Sequence, residues 1–375
     1  MMQNTTSPAG IAGQKVINVD GDMLLSMNKC SDFEADRQVM KGLFDLENAP
    51  NNITDEEPND KGDVLTLNKE FYTASELLNM GITEIPMLVD GLIHKVGLAA
   101  IAGSSDTGKS TFLRNLCLNV CAGNDEFLGF KLNTEHKSAI YVSTEDDGYA
   151  TAISPKKQNK RLGISPEKAD NLRFVFDSYN LISKLEAMLS DKRADIIVID
   201  AFSDIYDGGI NDVNQVRCFL DTYYRLANKY KCLVMFLHHC GKHTDDKIPS
   251  KHNLIGSQGF EGKMRLVLEL RNDLADTNYK HLCCVKGNYL PADSKNESYK
   301  LKFTEDLTFE YTGERVPFGH LKKNDDDDSD RQKYELVKQL QTDGKSTREI
   351  AEIIGYKSAG SVSKLIQRME TKESA

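Results

Sequence analysis

Short apolar runs recur through the middle of this chain, separated by stretches whose apolar positions repeat at helical spacing. "GLAAIAG", "SAIYVSTED", "LRFVFDS", "ADIIVID" and "CLVMFLHH" are near-continuous in aliphatic and β-branched residues. Strands of that kind are apolar on both faces, so both faces must be covered, which predicts a parallel sheet between helices. Helices are expected at Ser110–Ala122, Leu181–Leu189 and Val213–Lys229. After Gly256 the pattern changes to "MRLVLELR", "KHLCCVKGNY", "YKLKFTED" and "LTFEYTG", divided by polar turns. These predict antiparallel strands. The expected fold class is therefore α/β, with a mainly parallel central sheet, an antiparallel C-terminal extension and a small all-α domain at the end.

The flanks read differently from the middle. Residues 1–70 are polar and acidic, and "NAPNNITDEEPNDKGD" has little to bury. They are expected to form a loosely ordered arm, with one short helix around Phe33–Leu46. The main domain is expected over 71–318. An acidic linker follows over 319–330, which takes in most of "KKNDDDDSDRQ", and a last domain over 331–375. That last stretch reads as three helices. Ser346 or Thr347 caps the second, Gly355 stops it, and Ile350, Ala351, Ile354, Val362, Leu365 and Ile366 supply a small core. The chain contains no internal repeat.

Charge and composition narrow the function classes. A net charge of −10 over 375 residues argues against a protein coated in nucleic acid, while leaving local basic loops open. No apolar run approaches the roughly 20 residues that a bilayer requires. The N-terminus also lacks the charged start and apolar stretch of a secretory leader. A cytoplasmic protein with no membrane partner is the expectation. The 8 cysteines include no CxxC pair, which fits reduced core thiols.

The chemistry concentrates in "AIAGSSDTGKSTFLRNL", Ala100–Leu116, between an expected strand (Val96–Ala102) and a helix. Gly103, Ser104, Ser105, Asp106, Thr107, Gly108, Lys109, Ser110 and Thr111 have the spacing of a loop whose backbone N–H groups cradle phosphates. Lys109 is expected to reach the β- and γ-phosphates, and Ser110 to hold Mg²⁺ through its hydroxyl. ATP and Mg²⁺ are the ligands expected, although nothing in the loop chooses ATP over GTP. Asp200 ends a buried strand, where a carboxylate can orient the magnesium shell. Glu145 heads an acidic triplet at another strand end, where it can polarise the attacking water; Asp146 and Asp147 read as solvated neighbours. His238 and His239 end a further strand, where a polar side chain can sense the γ-phosphate. Zinc is the other reading of His238, His239, Cys240 and His243. Adjacent strand residues point to opposite faces, which argues against joint ligation.

In their order, the phosphate loop, "STED", "IIVIDAF", "FLHH", "GSQGFEGKMRLVLEL" and "VKGNY" resemble the RecA-like ATPases, in the branch of the RepA-type hexameric replicative helicases of plasmids. The resemblance runs from about Ala74 to Gly313. It implies the loop roles for Lys109 and Ser110, the strand-end carboxylate for Asp200, the catalytic glutamate for Glu145 and the phosphate sensor for His238 rather than His239. It also implies that Arg265 reaches into a neighbouring subunit's site and that Lys286 is a second cationic contact. A homo-oligomeric, hexameric ring binding single-stranded DNA follows by the same resemblance, with "DIYDGGINDVNQ" and "GKHTDDKIPSKHNLIG" as the loops. One departure is Pro155, where the family continues a helix, so 150–165 is expected as a flexible basic loop.

The "IAEIIGY-x-SAGSVSKLI" run resembles helix-turn-helix domains, with Ser358, Ser361, Lys364 and Arg368 on or near the face that meets duplex DNA. A three-helix protein-interaction module is the alternative. The expected function is a Mg-ATP-dependent ring ATPase acting on DNA, a replicative helicase of a plasmid or mobile element. The alternative is a nucleotide-switched DNA-binding regulatory or loading protein without unwinding activity.

Overall fold

A computed structural model describes residues 71–256, 258–322, 327–356 and 358–373. The helix expected around Phe33–Leu46 and the rest of the arm at 1–70 lie outside the described residues. The chain divides into two units, Met1–Gly81 and Ile82–Ala375. In the first, a helix at Ala74–Asn79 starts with a capping box: Glu76 N–H donates to Thr73 Oγ1, and Thr73 N–H donates to the Glu76 carboxylate.

The second unit is built on a nine-stranded sheet. Its strands are β1 (Gly97–Gly103), β2 (Ala139–Ser143), β3 (Leu172–Val175), β4 (Ile196–Asp200), β5 (Leu233–His239), β6 (Leu266–Asn272), β7 (Tyr279–Gly287), β8 (Glu297–Phe303) and β9 (Phe309–Pro317). Their spatial order is β9-β8-β7-β6-β1-β5-β4-β2-β3. The pairs from β6 through β1, β5, β4 and β2 to β3 are parallel, whereas β6–β7, β7–β8 and β8–β9 are antiparallel. This is the mainly parallel α/β sheet with an antiparallel extension that the apolar runs predict. Strand β5 separates β1, which carries the phosphate loop, from β4, which carries Asp200.

Period-2 alternation divides the buried strand residues between two cores. Ala99, Ile101, Tyr141, Val198 and Met235 face one side of the sheet, with α1 (Lys109–Ala122). Leu98, Ala100, Val142, Ile197 and Phe236 face the other, with α3 (Leu181–Asp191) and α4 (Val213–Tyr230). Between α1 and α3, helix α2 (Gly148–Leu162) overturns the expected loop at 150–165. It runs through Pro155 even though an interior proline costs roughly 3 kcal/mol. Tertiary anchoring offsets that cost. Asp147 caps the helix through Ala150 N–H, and Gln158 is buried and donates to Thr111 O at 2.9 Å and Leu307 O at 2.8 Å.

The C-terminal segment forms three helices, α5 (Asp327–Thr342), α6 (Thr347–Ile353) and α7 (Ala359–Glu373). Tyr334, Val337, Ile350, Ala351, Val362, Leu365 and Met369 make their core. Ser346 and Glu349 form a capping box at α6, and Gly355 after it has φ +76°. Helix α5 begins at Asp327, inside the run expected as linker, and buried Asp330 pairs with Arg368 of α7. No helix among the described residues is long and apolar enough to cross a membrane.

Candidate nucleotide site

Because β1, β2, β4 and β5 are parallel, their C-terminal ends share one edge of the sheet. The register sets Gly103 beside His239 and Ser143 beside Asp200. Ligands in open α/β sheets bind beyond this edge. The phosphate loop leaves β1 at Gly103, where a Cβ would come within 2.4 Å of Leu270 O, so only glycine fits. Gly108 then takes φ +88° and starts α1, whose first turn holds no acidic residue. The positive end of that helix is left facing the loop. Ser105 and Asp106 are exposed at the loop tip, while the Thr107 hydroxyl braces the loop by donating to Ser104 O at 3.1 Å.

Lys109 folds back into this loop and is buried, with Nζ donating to Ser104 O at 2.8 Å. Burial pushes its ammonium below the usual lysine range, against the opposing pull of Cys240, Asp200, Glu145 and Asp106. A cation with a single carbonyl partner is poised to exchange it for an anionic oxygen.

Asp200 is buried at the end of β4. Its Oδ2 accepts a hydrogen bond from the Tyr141 hydroxyl at 2.5 Å and lies 4.0 Å from Arg114 Nη2, while its Oδ1 has no partner. Burial raises its pKa, and the Tyr141 and Ser110 hydroxyls and the Arg114 guanidinium oppose the rise. An orphaned, buried carboxylate oxygen beside a serine hydroxyl is a donor set that suits a hard divalent cation. These residues fit Mg²⁺.

Three consecutive acids follow β2, and their partners tell them apart. Asp146 pairs with Arg114 at 2.9 Å, and Asp147 caps α2. On the other side, Thr144 is tied to the end of β4, its N–H and its hydroxyl each donating to Asp200 O at 2.8 Å. Glu145 is the exposed and least tightly held member of a segment pinned on both sides. Its Oε1 lies 3.4 Å from Nε2 of His239.

The two histidines diverge because adjacent strand residues face opposite sides. His238 is buried between Phe202 and Phe260, with Nε2 against Ile255 O at 2.7 Å. Burial lowers its pKa to about 4, so it is a neutral core residue. His239 is the one that reaches Glu145. Arg265 and Lys286 are not brought to this edge at all. Arg265 N–H bonds Leu98 O, near the start of β1, and Lys286 stands opposite Val267 and pairs with Glu261 at 2.8 Å. Strand rise puts Arg265 about 16 Å along the sheet from Gly103.

Sequence reasoning missed Arg114, Tyr141 and Asp245. Arg114 carried a signal: it lies one helical turn beyond Ser110, on the same face of α1. Tyr141 is the one aromatic residue in the β2 run, and its hydroxyl gave a fainter signal. Asp245, in the segment after β5, accepts a hydrogen bond from Ser104 of the phosphate loop and had no local signature.

Residues 68–245 match the family model described as an AAA domain, a stretch just under half of the chain that contains the phosphate loop, Glu145, Asp200 and both histidines. Among solved structures, the chain is similar to one described as an ATPase domain, at 15% sequence identity and a TM-score of 0.46, over 63% of this chain and 95% of that chain. No curated protein matches. The family match and the loop geometry support nucleotide-dependent ATPase activity in a P-loop domain of this chain.

Proposed function

We propose that this chain is a Mg²⁺- and ATP-dependent, ring-forming ATPase acting on DNA, a RepA-like replicative helicase of a plasmid or mobile element. The observation that carries the catalytic part of this reading is Glu145: an exposed carboxylate whose one contact among the described residues is the long one to His239, in a segment pinned on both sides, at the sheet edge where the phosphate loop begins. The loop N–H groups and the α1 N-terminus receive the phosphates, and Lys109 leaves Ser104 O for a phosphate oxygen. Glu145 takes the proton of the attacking water as its oxygen bonds to the γ-phosphorus and the bond to the β-phosphate oxygen breaks. His239 holds Glu145 and is the better candidate than His238 for sensing the γ-phosphate. Ser110 and Asp200 are the residues that would hold Mg²⁺, whose chemistry is charge neutralisation on the phosphate oxygens.

Arg265 lies too far from its own phosphate loop to act there, which supports a role in a neighbouring copy's site. Lys286 would act at the same boundary. Single-stranded DNA would meet the segments that follow β4 and β5, the second carrying Lys242, Lys247 and Lys251. Duplex DNA would meet α7 as the recognition helix of a helix-turn-helix, through Ser358, Ser361 and Lys364. ATP turnover by the full chain with and without single-stranded DNA tests the reading. Acceleration by single strands supports a translocating motor, and a response confined to one duplex sequence supports the regulatory alternative.

A further inference from the structure

Around Asp200 lies a group of buried polar residues that the phosphate loop does not require. Tyr141, in the middle of β2, is fully buried, and its hydroxyl sits between Asp200 Oδ2 at 2.5 Å and Ser110 O at 3.4 Å. Arg114 is buried one turn beyond Ser110. Its Nη2 lies 2.9 Å from Asp146 and 4.0 Å from Asp200, and its guanidinium carbon is 5.3 Å from the Tyr141 ring centre. Arg114 Nε has no partner, and neither has Asp200 Oδ1.

As a device for stability this arrangement is poor. A buried ion pair seldom outperforms apolar packing of the same volume, and an orphaned N–H adds a desolvation cost. It also sets a guanidinium beside a carboxylate that is suited to a cation. What it does well is fix orientation. A carboxylate can present either oxygen by rotating about χ2, a broad torsion. A phenol held in a strand paired on both sides engages one oxygen and leaves the other free. Arg114 spends its charge on Asp146, the residue after Glu145, and so ties the base-bearing segment to the helix that starts at the phosphate loop.

We propose that Tyr141 and Arg114 are positioning residues of the nucleotide site. Tyr141 turns Asp200 so that Oδ1 is the oxygen free for a divalent cation, and Arg114, through Asp146, holds the segment that presents Glu145. This rests on the nucleotide-site reading above. The two residues act through different partners, so their effects separate.

The test uses the full chain, a fluorescent ADP analogue, and Mn²⁺ followed by electron paramagnetic resonance. Tyr141→Phe removes only the hydroxyl. It is expected to bind the analogue in EDTA within about twofold of wild type while losing about tenfold in Mn²⁺ affinity with ADP present, the scale of one lost hydrogen bond to a charged group. Arg114→Lys keeps the charge without the planar fork. It is expected to keep Mn²⁺ affinity within about threefold and lose at least about tenfold in kcat. If that variant fails to fold, Asp146→Asn breaks the same pair from the exposed side and should lower kcat in the same way. Unchanged Mn²⁺ affinity in Tyr141→Phe overturns the first half of the proposal, and unchanged kcat in Arg114→Lys or Asp146→Asn overturns the second. A wild-type chain that binds neither the analogue nor Mn²⁺ overturns the nucleotide site itself and this proposal with it. Binding by wild type alongside insensitive variants overturns the proposal alone.

Discussion

The hydroxyl of Ser104 donates to the carboxylate of Asp245 at 3.0 Å, joining the phosphate loop to the segment that follows β5. That segment is held from beneath by a buried pair on β6. Arg271 donates to the carbonyls of Thr244 and Lys247, Glu269 accepts from Ser250 N–H, and the two side chains meet at 2.6 Å. A segment proposed to touch DNA is thus fastened to the loop proposed to hold phosphate.

Asp245 sets a negative charge where phosphates are expected. Asp245→Asn keeps the shape and the bond from Ser104 but removes the repulsion. Affinity for ADP should rise about threefold to tenfold, with the gain shrinking at high salt, as a titration with a fluorescent analogue would measure. Equal affinities would mean that the phosphates never approach this carboxylate.

Lys109→Ala should abolish hydrolysis while leaving the thermal transition within a few degrees of wild type, because Lys109 bonds only its own loop. Glu145→Gln should bind nucleotide normally and turn over at least about 10²-fold more slowly. Asp146 and Asp147 are held more tightly, by Arg114 at 2.9 Å and by Ala150 N–H at 2.9 Å, so neither is expected to take over. His239→Ala should lower kcat, whereas His238→Ala should chiefly lower stability. Normal turnover in Glu145→Gln would place the base elsewhere.

Arg265→Ala should bind ATP and hydrolyse it poorly, by a factor that can reach about 10³ for an arginine acting on a transferring phosphoryl group. Mixed with Lys109→Ala in equal amounts, about a quarter of the interfaces in a ring would pair an intact loop with an intact arginine. Some turnover should then return. Full activity of Arg265→Ala by itself would remove this residue from the mechanism and leave Lys286 as the candidate.

Acid should loosen the core through its histidines. Burial lowers both His94 and His238 from 6.5 to about 4. The unfolded chain therefore takes up protons first, and it holds more of them than the folded chain between those two values. Stability is complete above about 6.5, falls as pH drops toward 4, and loses on the order of 3 kcal/mol per histidine. Urea melts at pH 7 and pH 5 would show the fall. His238→Gln, which can still donate to Ile255 O, should flatten the slope.

If α7 enters a major groove, Lys364→Glu should weaken duplex binding by the full chain at all sequences. It should also make the salt slope shallower by about one. Basal ATP turnover should stay at the wild-type value. Duplex affinity unchanged by Lys364→Glu would favour the protein-interaction reading of α5–α7.

What the sequence by itself determined here is local. The phosphate loop is legible because its glycines meet backbone demands within a few residues of one another, Gly103 for closeness to the Thr107 side chain and Gly108 for a positive φ. The parallel sheet is legible because strands covered on both faces are apolar at every position, and that puts Asp200, Glu145 and the histidines at one edge. Partners distant in the chain decided the rest. Sequence shows that His238 and His239 face opposite sides, but the carbonyl of Ile255 and the rings of Phe202 and Phe260 decide which one is core. Three adjacent acids look alike until Arg114 claims Asp146 and α2 claims Asp147. Proline at 155 reads as a helix breaker until Gln158 reaches Leu307, 149 residues away. For the histidines and the acids, local pattern fixes the backbone and its faces, and long-range contacts choose among side chains that the pattern leaves equivalent; at Pro155 the long-range contacts decide the backbone itself.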